Sequence, residues 1–230
     1  MEFIVLLIIV VIMYFILGFI FDFNMKKIKK LGEDKEFDEL TQKYPENIEI
    51  CKWYLKRLKN ENVKIEEDKN SNSTLYLVMS NKIFIANLKE SYTRIQTIAH
   101  ECLHSIQSKK LLWFNFIFSN IYLVYFGVIC ILALLKILPM KMTFLSIFIV
   151  FSLVYYAVRT YLENDAMIKA RFLAKEYMQE KAISSQEEID KIVNKYDELN
   201  GIGIKCTNFK FLSGILIKVI ILIVILGYWM

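Results

Sequence analysis

The sequence predicts an α-helical polytopic membrane protein, with about four transmembrane helices, that carries a small α+β part on its cytoplasmic side. Three observations predict it. Hydrophobic residues make up 56% of the 230, while only 7 are Gly and 2 are Pro, a balance unlike that of a soluble domain. The apolar residues collect in four stretches, each close to the ~20 that a helix needs to cross a bilayer. These are Phe3 to Phe21, Leu111 to Leu135, Met142 to Val158 and Phe211 to Trp229. Nearly all the charge falls in two polar segments between them, Asp22 to Lys110 and Arg159 to Lys210. The expected organisation is a transmembrane anchor over 1–22, a cytoplasmic α+β segment over 23–110 and a transmembrane hairpin over 111–158. A cytoplasmic helical segment over 159–210 and a last transmembrane helix over 211–230 complete it.

The first apolar stretch is preceded by no positive charge and followed by no small-x-small cleavage site, so it is expected to be a retained anchor rather than a cleaved signal. Lys26, Lys27, Lys29 and Lys30 follow it directly. Lys109 and Lys110 precede the second stretch, Arg159 follows the third, and Lys205 and Lys210 precede the fourth. Positive charge favours the cytoplasmic side. The expectation is a multi-pass protein of the cell membrane with both polar segments in the cytoplasm. A net charge of +5 would suit nucleic acid, but the lysines sit at membrane boundaries, where anionic headgroups account for them. No nucleic-acid partner is expected. Cys51, Cys102, Cys130 and Cys206 lack the paired spacing of a zinc ribbon and fit a reduced compartment.

Within the first polar segment, Ile48, Cys51, Tyr54, Leu55 and Leu58 recur at helical spacing after Pro45, which suits a first turn. Val63 and Ile65 then alternate with lysines. Thr74 to Met79 and Ile83 to Leu88 are β-rich runs parted by Ser80, Asn81 and Lys82, which predicts strands in a small antiparallel sheet. An edge of that sheet is placed to hold an extended peptide by strand addition, or simply to pack. Ser91 or Thr93 is positioned to cap a helix carrying Ile95, Ile98, Ala99, Cys102, Leu103 and Ile106, one able to run on into the second span. In the second polar segment a helix is expected to leave the third span near Tyr161 and continue towards Met178. Ser185 with Glu188 signals a further helix, closed by Asn200 and Gly201.

The residues Thr97-Ile98-Ala99-His100-Glu101-Cys102-Leu103-His104 place H-E-x-x-H on the predicted helix. Residues i and i+4 lie one above the other, so His100 and His104 can reach one ion, while Glu101 stands beside the metal-bound water. Zinc draws the pKa of such water towards ~7, and a carboxylate then takes its proton during attack on a carbonyl. The plain alternative is an incidental surface pair of histidines. Catalytic zinc needs a third protein ligand and one open position. These are the only two histidines, so the third ligand is a carboxylate or a thiolate. Cys102, half a turn around from His100, points elsewhere. Glu163 lies shortly after the third span, as His104 lies shortly before the second, so a membrane hairpin would bring it back to the histidines. Asp165 is its rival, on another face of the same helix. Ala166 and Ala170 share the Glu163 face and favour close packing. A solvated helix start with acids favoured by the dipole remains the alternative.

Ala99-His100-Glu101-x-x-His104-x-x-Gln107, followed after the hairpin by Glu163-x-x-Ala166-x-x-x-Ala170, resembles the bacterial membrane-bound neutral zinc metallopeptidases of the YugP-like group. More distantly it is similar to the HtpX and CAAX-prenyl-protease type of gluzincin. The resemblance covers roughly the first three quarters of the chain. It implies Zn2+ held by His100, His104 and Glu163, with Glu101 catalytic. Two positions depart from it: Cys102 and Leu103 stand where small residues are common, and Met167 stands where the distant group has Asp. A carboxylate behind one histidine must then come from elsewhere.

Three donors are considered for the oxyanion: Arg159, Tyr161 and Arg171. Lys218 interrupts the fourth stretch and is expected to snorkel, with a functional role as the alternative. Asn115 and Asn120 are expected to bond between helices. The function expected is a zinc-dependent membrane endopeptidase acting on peptide or membrane-protein substrates through zinc-bound water. The alternative is a non-catalytic, zinc-stabilised membrane scaffold or chaperone.

Overall fold

The structure is a computed structural model that describes residues 2–22, 25–68, 71, 73–87 and 91–228. Among these residues the order is α1 (Glu2–Ile20), α2 (Met25–Gly32), α3 (Lys35–Gln42), α4 (Asn47–Arg57), β1 (Lys64–Asp68), β2 (Leu75–Leu77) and β3 (Lys82–Ala86). There follow α5 (Arg94–Ile106), α6 (Lys109–Leu134), α7 (Lys141–Lys181) and α8 (Gln186–Tyr228). Four of these helices, α1, α6, α7 and α8, are long and apolar enough to cross a membrane. The chain divides into two compact units, one of residues 1–23, 113–161 and 205–230, the other of residues 24–112 and 162–204.

The first unit is built from apolar helix. Its core stacks Tyr122 on Phe148 and on Tyr155, each at 5.1 Å between ring centres. The Ser152 hydroxyl donates to the Tyr122 oxygen at 3.2 Å. Lys218 lies 5.5 Å over the Tyr122 ring and donates to the Gly214 carbonyl one turn back, so the ring's negative face receives the ammonium. Asn120 bonds within its own helix, to the Phe116 carbonyl at 2.7 Å, rather than between helices: four residues back is the nearest acceptor when a short amide faces outward.

The second unit is an α+β body. α4 ends in Leu58, Lys59 and Asn60. Lys59 adopts φ 54° while its N–H meets the Lys56 carbonyl and that of Asn60 meets Leu55, closing the helix by a left-handed cap. The Asn60 amide also donates to the Ser105 carbonyl and hydroxyl, tying α4 to the end of α5. Arg94 opens α5 and is 2% exposed. Its guanidinium donates to the carbonyls of Thr41, Tyr44 and Pro45 and to Asn47 Oδ1, at 2.8–3.0 Å. Carbonyls near the end of α3 thus balance a buried cation.

The sheet has the order β1-β3-β2. β2 and β3 form the antiparallel hairpin, but β1 runs parallel to β3, so the sheet is mixed rather than antiparallel. β2 and β3 are shorter than the runs that suggested them, and Leu88 lies outside the described residues, as does Trp229. α5 stops short of α6, because Gln107 turns extended at ψ 160°. The capping box at Ser185 forms as the sequence suggests, with both reciprocal bonds present. α8 nevertheless continues through Asn200 and Gly201. The Asn200 side chain is spent on Gln96 and on the Met167 carbonyl, which leaves nothing to end the helix. α7 likewise runs unbroken through 41 residues.

Candidate metal centre

α5 is buried on most of its surface, with Ile95, Ile98, Ala99 and Cys102 fully in the core of the second unit. Ala166, Ala170 and Ala174 of α7 enter the same core. One turn before Ala166, Glu163 lies beside the two histidines.

The His100 and His104 Nε2 atoms are 3.0 Å apart, with their rings edge-on at 90°. Glu163 Oε2 is 3.4 Å from His100 Nε2 and 3.6 Å from His104 Nε2. These donor atoms suit a metal ion. An ion held tetrahedrally at about 2.0–2.1 Å spaces its ligand atoms by roughly 3.3 Å, and the three separations bracket that value. Side-chain exposures of 12–19% leave the group open to solvent on one side.

The tautomer of His104 follows from Gln107. The Gln107 Nε2 donates to the Leu162 carbonyl at 2.8 Å and to Asp165 Oδ2 at 3.1 Å, so it is the amide oxygen that faces His104 Nδ1 at 2.8 Å. The ring therefore carries its hydrogen on Nδ1 and turns the Nε2 lone pair inward. That lone pair is aimed at the Nε2 of His100 3.0 Å away, which can donate a hydrogen to it in one tautomer or share a cation with it in the other. Asp165, the rival ligand, stands behind Gln107 and accepts a hydrogen bond from its amide.

Glu101 is 8% exposed. Its Oε2 accepts the Tyr76 N–H of β2 at 2.7 Å and its Oε1 lies 4.0 Å from His100 Nε2. Burial raises its pKa, against the lowering effect of the two imidazoles and the Tyr76 amide. Cys102 faces away, its sulfur 3.6 Å from that of Cys51. Burial pushes its thiol well up, so no thiolate is offered to the centre.

Of the oxyanion candidates, Arg171 in this unit is paired with Asp197 and lies over the Phe172 ring. Arg159 lies over Phe211 in the other unit, where Tyr161 is 62% exposed. One contributor, the Tyr76 main chain, has no motif of its own, whereas Gln107 closes the motif that carries the resemblance. The spacing of Gln107 three residues after His104 is the one signal that pointed to it.

No protein-family model matches the chain, and no curated protein and no solved structure matches it.

Proposed function

We propose that the chain is a zinc-dependent membrane endopeptidase whose metal is held by His100, His104 and Glu163. The observation that carries this reading is the triangle of Nε2, Nε2 and Oε2 atoms, spaced as tetrahedral zinc requires, with a further buried carboxylate beside it that is not needed for holding the ion. A purely structural site has four protein ligands; three among the described residues, with Glu101 alongside, favour catalysis over a scaffold. When bound, zinc polarises a peptide carbonyl and makes water acidic. Glu101 takes the proton of the attacking water and passes it to the leaving amide nitrogen. Gln107, backed by Asp165, keeps His104 in its binding tautomer. Four helices suited to a bilayer support membrane residence, and the lysines beside them support a cytoplasmic site.

Purified protein should contain about one zinc per chain. The Glu101→Gln variant should keep the metal and lose at least about a hundredfold in peptide hydrolysis, whereas His104→Ala should lose the metal. Cleavage by Glu101→Gln at the unsubstituted rate would refute the assignment.

A further inference from the structure

Among the described residues β2 ends the sheet, with β3 on one side of it. Its register pairs Leu75 with Phe84, Tyr76 with Ile83 and Leu77 with Lys82. Successive residues of an antiparallel strand turn their main-chain groups to opposite sides. Tyr76 turns its N–H away from β3, to Glu101. An outward amide at a sheet edge is what an extended peptide takes when it adds as a further strand. One N–H does not serve two acceptors at full strength, and a carboxylate outcompetes a peptide carbonyl.

We propose that Tyr76 and Glu101 form a latch operated by substrate. At rest the edge amide holds Glu101 Oε2 and so fixes how the carboxylate is turned; an extended polypeptide adding to β2 takes that amide over and leaves the carboxylate able to turn towards the attacking water. This rests on the peptidase reading and adds how its base is regulated. Because the carbonyl is the weaker acceptor, the exchange is driven by the further strand bonds and side-chain contacts of a long segment. The latch therefore selects unfolded polypeptide over short peptides, which make too few bonds to open it.

The test uses the full chain, zinc-loaded in detergent, and fluorescently labelled casein as an unfolded polypeptide. Glu101→Gln and Glu101→Ala both lack the base, but glutamine keeps an oxygen for the Tyr76 amide and alanine does not. The alanine variant should bind casein roughly fivefold more tightly, the worth of one neutral hydrogen bond. In a Tyr76→Pro background, tolerated because that N–H lies outside the ladder, the difference should vanish. Equal affinities of the two Glu101 variants in the Tyr76 background overturn the latch, with or without the proline pair. If the zinc-loaded unsubstituted chain leaves casein intact, the peptidase reading falls and the latch with it. If it cleaves casein while the two variants bind alike, only the latch falls.

Discussion

His104 turns a lone pair towards His100 and Glu163 because Gln107 occupies its other ring nitrogen, and Gln107 is itself held by Leu162 and Asp165. Replacing Gln107 by Leu removes that acceptor without removing a ligand. Zinc affinity should fall by about 10–100-fold, measured by competition with a chelating dye, and an unchanged affinity would leave Gln107 without a role. The histidine pair and Glu101 were legible in the sequence because an i, i+4 spacing fixes their common face on any helix. The placement of Glu163 beside the histidines was legible because a hairpin of two long apolar helices returns the chain to where it left. Gln107 was legible as a position one helical turn after His104, but its bond to the ring was not, because that depends on Leu162 and Asp165 orienting its amide. The Tyr76 contact uses a main-chain N–H, which every residue except proline has, so no sequence pattern marks it.

Among the elements, α4 shows how a local cost can be located. Lys59 sits in the left-handed region, which costs a non-glycine residue roughly 1 kcal/mol. Lys59→Gly should therefore raise the stability of the second unit by up to about 1 kcal/mol, visible as a higher midpoint in thermal unfolding; a lower midpoint would show the lysine to be serving another purpose. Strand existence was legible from β-rich runs and turn residues, whereas the parallel pairing of β1 with β3 was not. Pairing is decided by which neighbour completes the sheet, and periodicity does not record it. The end of α8 differs from the sequence expectation for a related reason. Asn and Gly resemble a helix stop, but the Asn200 side chain is engaged across the core. Gly201 lies inside α8 with open space where a Cβ would stand, so neither a turn nor a close neighbour calls for it there.

For the whole molecule, metal and pH act together. In the metal-free chain, burial disfavours the charged form of His104, but its hydrogen bond to Glu163 and the charges of Glu101 and Glu163 outweigh this and hold the pKa above the usual 6.5. A raised imidazole pKa adds stability that is present in full below the unfolded value and is lost as pH rises through the folded one. Metal binding has the opposite sign, since it needs the neutral ring. The increase in unfolding temperature caused by zinc should be small near about pH 6 and larger near about pH 8. At zinc a thousandfold above Kd the increase corresponds to about 4 kcal/mol. An increase of equal size at both pH values would count against His104 as a ligand. The four long apolar helices were legible from composition alone, because a bilayer demands length and little else.

The three alanines of α7 that enter the core beside Glu163 act as a gauge. Ala166, one turn after Glu163, has no exposed surface, so added volume there would shift Glu163 relative to the imidazoles and change the size of ion that the three side chains could hold. Ala166→Val would force the helix outwards, favouring cations with longer bonds to oxygen and nitrogen. Such a variant should lose preference for zinc relative to cadmium, a change in selectivity made by a residue that touches no metal.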